Sequence, residues 1–430
     1  MISPSPIKED LLHYVWKTKS FDRNDLKTTD GIPISILKFG FPNAVSGPDF
    51  SNGMIKIGDI SWSGNIEMHV FSSQWFQHGH QHDDAYRNVI LHVVYEHDKQ
   101  IYRQNGKAIP TLELKDRIFP NVRNKYIELI QNENWIPCAS VFPIWSEDKW
   151  SIYLTALMIE RLEKKTIEID HIHTYCGGDW EQVSFILLAK YLGSNVNGLP
   201  MEWLAKSIDC KLFHKNKSNL LFSDAILFGQ SGMLASDFQE DYPLTLKKEY
   251  KYLCGKYNLS PIDVSVWKFG GIRPPNFPSI RIAQLSGIMA SAGSLFHKII
   301  SAVDNKEIAD LLRSETHNYW NTHYRFGKTS NFIEKRISED QLNLILINVI
   351  APLVFSYGKK IGDEKYQERA IQILEEVKSE KNSIIRQWKL LGPAAKNAAE
   401  SQALIQLKKA YCDYQRCLAC RIGHHILQEK

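Results

Sequence analysis

At 430 residues with 43% hydrophobic and 11% aromatic content, the chain can bury a large core, and its length suits two or three domains. The first residues lack a basic start followed by an apolar core, and the longest apolar run, Leu342 to Phe355, is broken by Asn343, Asn348 and Pro352. A secretory leader and a membrane span are therefore not expected, and a soluble cytoplasmic protein is. The net charge of +4 is unevenly placed, since residues 381–430 carry +6 and the remainder −2, which suits a solvated helix face or an anionic partner such as nucleic acid.

In chain order, Ile7 to Lys19 has the apolar spacing of a helix, and Ile34 to Phe39 alternates as a strand. Asp49 to Ile57 and Ile60 to Val70 read as two strands joined at Gly58-Asp59, a hairpin turn. Asp83 to Tyr86 suggests a short helix. The continuous β-branched run from Asn88 to Glu96 predicts a strand buried on both faces, Ile109 to Leu114 a further strand, and Pro120 to Asn132 a helix. From Glu147 helical periods dominate, over about 147–167, 179–193, 199–207, 281–302, 306–321, 339–357, 363–378 and 397–429, with Trp267 to Pro278 as a long loop. The expected class is α+β: a mixed-sheet domain over residues 1–140, then a mainly helical domain over 141–430 that carries a basic, cysteine-containing end.

Chemistry-bearing residues crowd between Gly47 and Asp98. Asp49, Glu67, His69, His78, His80, His82, Asp83 and His92 lie there, and six of the fifteen histidines fall between His69 and His97. These residue types hold metal ions and move protons.

The phrases Ser46-Gly-Pro-Asp-Phe50, Gly64-Asn-Ile-Glu-Met-His69, Asn88-Val-Ile-Leu-His-Val-Val94, Trp135-Ile-Pro-Cys138, Phe228-Gly-Gln-Ser-Gly232, Arg273-Pro-Pro-Asn-Phe-Pro278 and Cys417-Leu-Ala-Cys-Arg-Ile-Gly423 resemble a bacterial family of unknown function along nearly the whole chain. The order of elements also resembles the restriction-endonuclease-like core of the PD-(D/E)XK nucleases. Pro48-Asp49 stands as the first half of that motif and Glu67-Met68-His69 as the second, with His69 where lysine is usual. The resemblance implies a divalent-metal-dependent nuclease or phosphodiesterase acting on nucleic acid. Asp49, Glu67 and the Met68 carbonyl would hold Mg²⁺ or Mn²⁺ through oxygen. Such an ion polarises a phosphodiester and acidifies a bound water. His69, on the Glu67 face of its strand, would act as base or orient that water, and Glu9 could add a carboxylate.

Two other classes compete. One is a non-catalytic nucleic-acid-binding or scaffold protein on the same fold. The other is a transition-metal hydrolase built on His78, His80 and His82 with Asp83. His92, inside an apolar strand, reads as a core histidine. Cys412, Cys417 and Cys420 have the spacing of a zinc or iron–sulfur site, with Cys138 or His424 as fourth ligand, although a helix there would make them small core residues. Some nucleases of the resembled class join one distant cysteine to three near the C-terminus, and that analogy favours Cys138. Candidate phosphate contacts are Arg273 and Arg281 around a proline-rich loop and Lys408, Lys409, Arg416 and Arg421 in the basic tail. Phe228 to Gly232 lacks the lysine of a phosphate loop and reads as a helix end and turn.

Overall fold

The computed structural model describes residues 7–43, 45–103 and 105–429. Two compact units divide the chain, Met1–Glu147 with Leu407–Lys430, and Asp148–Gln406. The boundary expected near 140 thus falls near 147, and the cysteine-containing end, assigned to the helical domain from sequence, packs with the first unit. The reason lies in specific bonds: Lys125 Nζ donates to the carbonyls of Ile426 and Glu429 (3.0 and 2.8 Å), and Tyr14 Oη bonds His424 Nδ1 at 3.0 Å.

The first unit is a mixed sheet with helices around it. Helix α1, Glu9–Thr18, starts with two acidic residues in its first turn, which suits the positive end of the helix dipole, and it buries Leu11, Leu12, Val15 and Trp16. Strands β1 (Ile34–Lys38), β2 (Phe41–Pro42), β3 (Phe50–Ile57), β4 (Ile60–Phe71), β5 (Val89–Glu96) and β6 (Thr111–Glu113) form one sheet in the order β1-β3-β4-β5-β6, with β2 also pairing β3. The β1–β3 and β3–β4 pairs are antiparallel, whereas the β4–β5 and β5–β6 pairs are parallel. Ile57 pairs Ile60 across the two-residue turn, where Gly58 takes φ +55°. The β4 to β5 crossover holds α2 (Gln74–Gln77) and two single 3₁₀ turns. Helix α3, Pro120–Gln131, follows with proline at its first position, where no N–H is needed.

The even-numbered residues Ile66, Met68 and Val70 of β4 are buried, but so are Glu67 and His69 on the other face, because the crossover folds over them. The polar side of this strand does not meet water. The segment from 397 onward is not one helix: it passes from Ala398–Gln406 through a π turn to residue 411, breaks at Gln415 in the left-handed region (φ +51°), and resumes as a helix over Arg421–Gln428.

Close approach of β4 and β5 requires Gly64. A Cβ there would lie 2.5 Å from the Asn88 carbonyl oxygen and 2.6 Å from Ile90 Cγ2. Gly64→Ala should therefore destabilise the protein by about 1–3 kcal/mol, visible as a lower urea midpoint at unchanged m-value.

The second unit is helical, with a two-stranded ribbon at 323–329. It includes helices at Leu220–Gln230, Asp241–Tyr257 and Ser383–Leu391 that apolar periodicity did not single out. The run Leu342 to Phe355 lies within a continuous helix, Glu339–Ile361, that is long and apolar enough to cross a membrane by composition; 72% of its apolar window is buried. It contains a π turn at Leu346–Ile350, whose Asn348 accepts a hydrogen bond from Lys165 Nζ at 2.9 Å.

Candidate metal centre

The centre is set by an irregularity in β3. Phe50 pairs Ile66 while Gly53 pairs Gly64, so one extra residue bulges out, and Asn52 takes φ +57°. The bend brings Asp49 beside Glu67. The Asp49 N–H donates to Glu67 Oε2 at 3.1 Å, and the Met68 N–H donates to Asp49 Oδ2 at 2.9 Å. Each acidic residue is thus tied to the other's strand.

From α1, His13 and Glu9 reach the same place, four residues apart on one helix face. His13 Nε2 lies 3.2 Å from Asp49 Oδ2 and 3.8 Å from Glu9 Oε1. One ligand atom from each of Glu9, His13 and Asp49 falls within 4.8 Å of the other two, the spacing that one cation requires.

A second triad adjoins it. His69, His78 and His80 also offer ligand atoms all within 4.8 Å of one another. His69 projects from β4, and His78 and His80 come from the crossover. Glu67 stands between the triads: its Oε1 is 3.2 Å from His80 Nε2 and 3.6 Å from His69 Nε2, while Oε2 faces Asp49. His92, the β5 neighbour of Glu67, holds His69 from behind through a 2.7 Å contact between His92 Nε2 and His69 Nδ1. In the tautomer that places a proton on His69 Nδ1, the Nε2 lone pair is left facing His78, 3.1 Å away, and Glu67. His80 Nε2 is buried without a hydrogen bond despite its nearness to Glu67, as suits a lone pair and a carboxylate that converge on a shared ion.

The electrostatics follow from burial. Desolvation, then the nearby Asp49 charge, push Glu67 up to about 8 and Glu9 up to about 7. Desolvation, then the neighbouring His92, drive His69 down to about 2, and His92 falls to about 3, chiefly through its own burial. His13 is raised: desolvation opposes its charge, but contact with Asp49 and the charges of Asp49, Glu9 and Glu67 outweigh it. Carboxylates that resist ionisation beside imidazoles that stay neutral are a ligand set short of positive charge, and a divalent cation fits it.

Aromatic residues wall the centre. Tyr86 stacks on His80 with centroids 3.8 Å apart, and buried Trp75 meets His80 and His92 edge-on at 5.3 and 5.6 Å. Beside them opens a cavity of about 210 Å³ lined by Trp75, His80, Tyr86, Arg87 and Arg103.

Of the residues singled out in the sequence, Asp49, Glu67, His69, Glu9, His78 and His80 come together. His82 is exposed and outside both triads, and Asp83 caps a 3₁₀ turn by accepting the Ala85 N–H at 2.8 Å. His92 is a core histidine and also a support of the site. His13, Trp75 and Tyr86 were missed; the Glu9–His13 spacing on α1 was the readable clue. Among the proposed phosphate contacts, Lys408 and Lys409 both pair with Asp413, the latter at 3.1 Å. Arg416 lies over the Tyr411 ring at 5.5 Å, and Arg421 and Arg273 are exposed. Arg281 donates to the amide oxygens of Gln284 and Asn276 at 2.8 and 2.6 Å. Phe228 to Gly232 is a helix end and turn, as its lack of lysine indicates, with Gly232 at φ +74°.

No curated protein and no solved structure shows significant similarity to the chain. Residues 9–383 match the family described as "Protein of unknown function (DUF2851)", a span that takes in both triads and most of the helical unit, and the chain belongs to that family.

Proposed function

We propose that the protein is a divalent-metal-dependent hydrolase of phosphodiester bonds, a nuclease whose centre is Glu9, His13, Asp49 and Glu67. The observation that carries this reading is the mutual tying of Asp49 and Glu67, with Glu9 and His13 delivered to them by α1. Support comes from the element order, in which a helix precedes an antiparallel β3–β4 hairpin and a parallel β5, the order of a PD-(D/E)XK core. Oxygen-rich donors suit Mg²⁺ or Mn²⁺. When bound, such an ion polarises a phosphodiester and lowers the pKa of a water.

The remaining roles belong to the chain. Asp49 and Glu67 would hold the ion, and His13, with its raised basicity, is the group best placed to hold a proton near Asp49. His69 is too weak a base for that task and serves as a ligand or positioning group. Arg103 in the adjoining cavity supplies positive charge for a substrate phosphate, and Arg87 beside it is paired with Asp84 at 2.7 Å.

A second reading is favoured by the His69–His78–His80 triad, whose nitrogen donors suit a transition metal such as Zn²⁺ better than Mg²⁺. Chelator-stripped, full-length protein incubated with single- and double-stranded DNA and RNA distinguishes them. Cleavage restored by Mg²⁺ or Mn²⁺ supports the first reading, and cleavage restored by Zn²⁺ alone supports the second. Salt-sensitive binding without cleavage under any metal turns the assignment to a non-catalytic nucleic-acid-binding protein. His69→Lys is expected to retain Mg²⁺-dependent turnover within roughly 10²-fold of wild type if His69 occupies the lysine place of the resembled motif, since a positioning group contributes about that much. In the second reading the same change removes a metal ligand and abolishes turnover.

A further inference from the structure

The four cysteines of the first unit are brought together from two distant stretches of chain. Cys138 opens a 3₁₀ turn after Trp135-Ile136-Pro137, and Cys412, Cys417 and Cys420 lie on the broken segment that follows residue 411. The two stretches are clasped: Gln415 Nε2 donates to the Ile130 carbonyl at 3.1 Å, Lys408 Nζ lies 5.2 Å over the Trp135 ring, and Trp145 meets His425 at 5.6 Å. Cys138, Cys417 and Cys420 are 7 to 8% exposed, and Cys412 is partly buried. None of the four is in a disulfide.

Three features set these residues apart from small apolar core residues. Each of the four sulfurs lies within electrostatic reach of the other three. The Cys417–Cys420 turn is fixed by local bonds, with the Cys420 N–H donating to the Cys417 carbonyl at 3.2 Å and the Cys417 N–H to the Gln415 carbonyl at 2.8 Å. The helix behind it can approach only because residue 423 is glycine, since a Cβ there would fall 2.0 Å from the Cys417 oxygen. A turn this constrained directs two thiols to one side, as a Cys-x2-Cys metal ligand pair does.

We propose that Cys138, Cys412, Cys417 and Cys420 ligate an iron–sulfur cluster that staples the end of the described chain to the segment after α3. Four thiolates are the ligand set of both a zinc ion and a four-cysteine cluster. Spacing decides between them. A tetrahedral zinc with 2.3 Å bonds needs its sulfurs about 3.8 Å apart. Among the described residues, the triads gathered within 4.8 Å are those of the His69 and Asp49 groups, and no three of these sulfurs join them. The wider tetrad suits a multi-atom cluster. Its assembly displaces the thiol protons as iron–thiolate bonds form, with iron and sulfide supplied to the protein, and involves no redox change of the cysteines themselves.

The test is metal and sulfide analysis of full-length protein purified without oxygen or chelator. Expected are iron and acid-labile sulfide in several-fold excess over protein, with broad visible absorbance that fades in air. Cys138→Ser and Cys417→Ser should each lose iron and sulfide to background, while Cys176→Ser and Cys254→Ser, in the other unit, keep both. Glu67→Ala should also keep both, which separates this site from the hydrolytic centre. To cover a variant that fails to fold, wild-type thiols are counted natively with and without reconstitution: four fewer reactive thiols after iron and sulfide addition is the supporting result. Stoichiometric zinc without iron overturns the cluster. So does protein that takes up neither metal on reconstitution.

Discussion

Asp49→Ala or Glu67→Ala should reduce cleavage of nucleic acid by roughly 10³-fold or more while leaving the far-UV circular dichroism unchanged. Each removes a carboxylate that positions the ion, and an ion's stabilisation of phosphoryl charge is worth several kcal/mol, at one power of ten in rate for each 1.36 kcal/mol. Glu67 is also the residue that both triads share, through Oε1 to His80 and His69 and Oε2 to the Asp49 N–H. Its loss should therefore harm both readings of the centre, whereas His78→Ala should be severe only in the transition-metal reading. His92→Phe tests the support beneath His69: a residue that orients a ligand from behind costs about 10- to 100-fold in metal affinity when it is removed. Turnover unchanged in Glu67→Ala would remove the centre from the mechanism.

Metal binding should tighten steeply as pH rises to about 8 and then level off. Glu67 and Glu9 hold protons up to about 8 and about 7, and a cation binds only their ionised forms. Binding displaces the Glu67 proton between those values and the Glu9 proton as well below about 7, with His13, whose pKa is also raised, adding a further proton where it serves as a ligand, so affinity climbs more steeply below about 7 than above it. His69 and His92, held near 2 and 3, are neutral throughout and contribute no proton. Calorimetry in buffers of different ionisation enthalpy counts the released protons, and a pH-independent affinity would contradict the buried-carboxylate account.

The metal-free protein carries the opposite dependence. The Glu67 pKa rises on folding, so its contribution to stability is fully present below its ordinary value of 4.5 and is lost as pH climbs to about 8. Chelated wild type should thus be less stable at about pH 8 than at about pH 5, by on the order of a few kcal/mol, and Glu67→Gln should flatten that slope.

Much of the first unit was legible because its signals are local. The Gly58-Asp59 turn, the alternation along β4 and the β-branched run of β5 each report on neighbours in sequence, and each element lies within a few residues of its expected place. The approach of Asp49 to Glu67 was foreseen from their placement on adjacent strands, but the Asn52 bulge that effects it left no periodic trace. His13 was overlooked because a helix face reads as amphipathic whether its polar members meet water or a site. The tail was misread for the converse reason. Its apolar spacing continues through residue 429, and only the left-handed Gln415 and the crowding at Gly423, both tertiary in origin, break it. The basic tail likewise lost much of its apparent charge once Asp413 was seen to neutralise Lys408 and Lys409.

The first unit is assembled from the two outer stretches of this sequence, 1–147 and 407–430. During synthesis its strands leave the ribosome before the intervening unit, whereas the helix that grips Tyr14 and Lys125 leaves after it. At typical elongation rates of about 5–20 residues per second, the intervening unit imposes a wait of roughly 15–50 seconds. Throughout that interval α1, which carries Glu9 and His13, lacks its C-terminal partner. A polypeptide that stalls before residue 421 would lack the helix whose His424 bonds Tyr14 on α1, and with it the support behind Glu9 and His13.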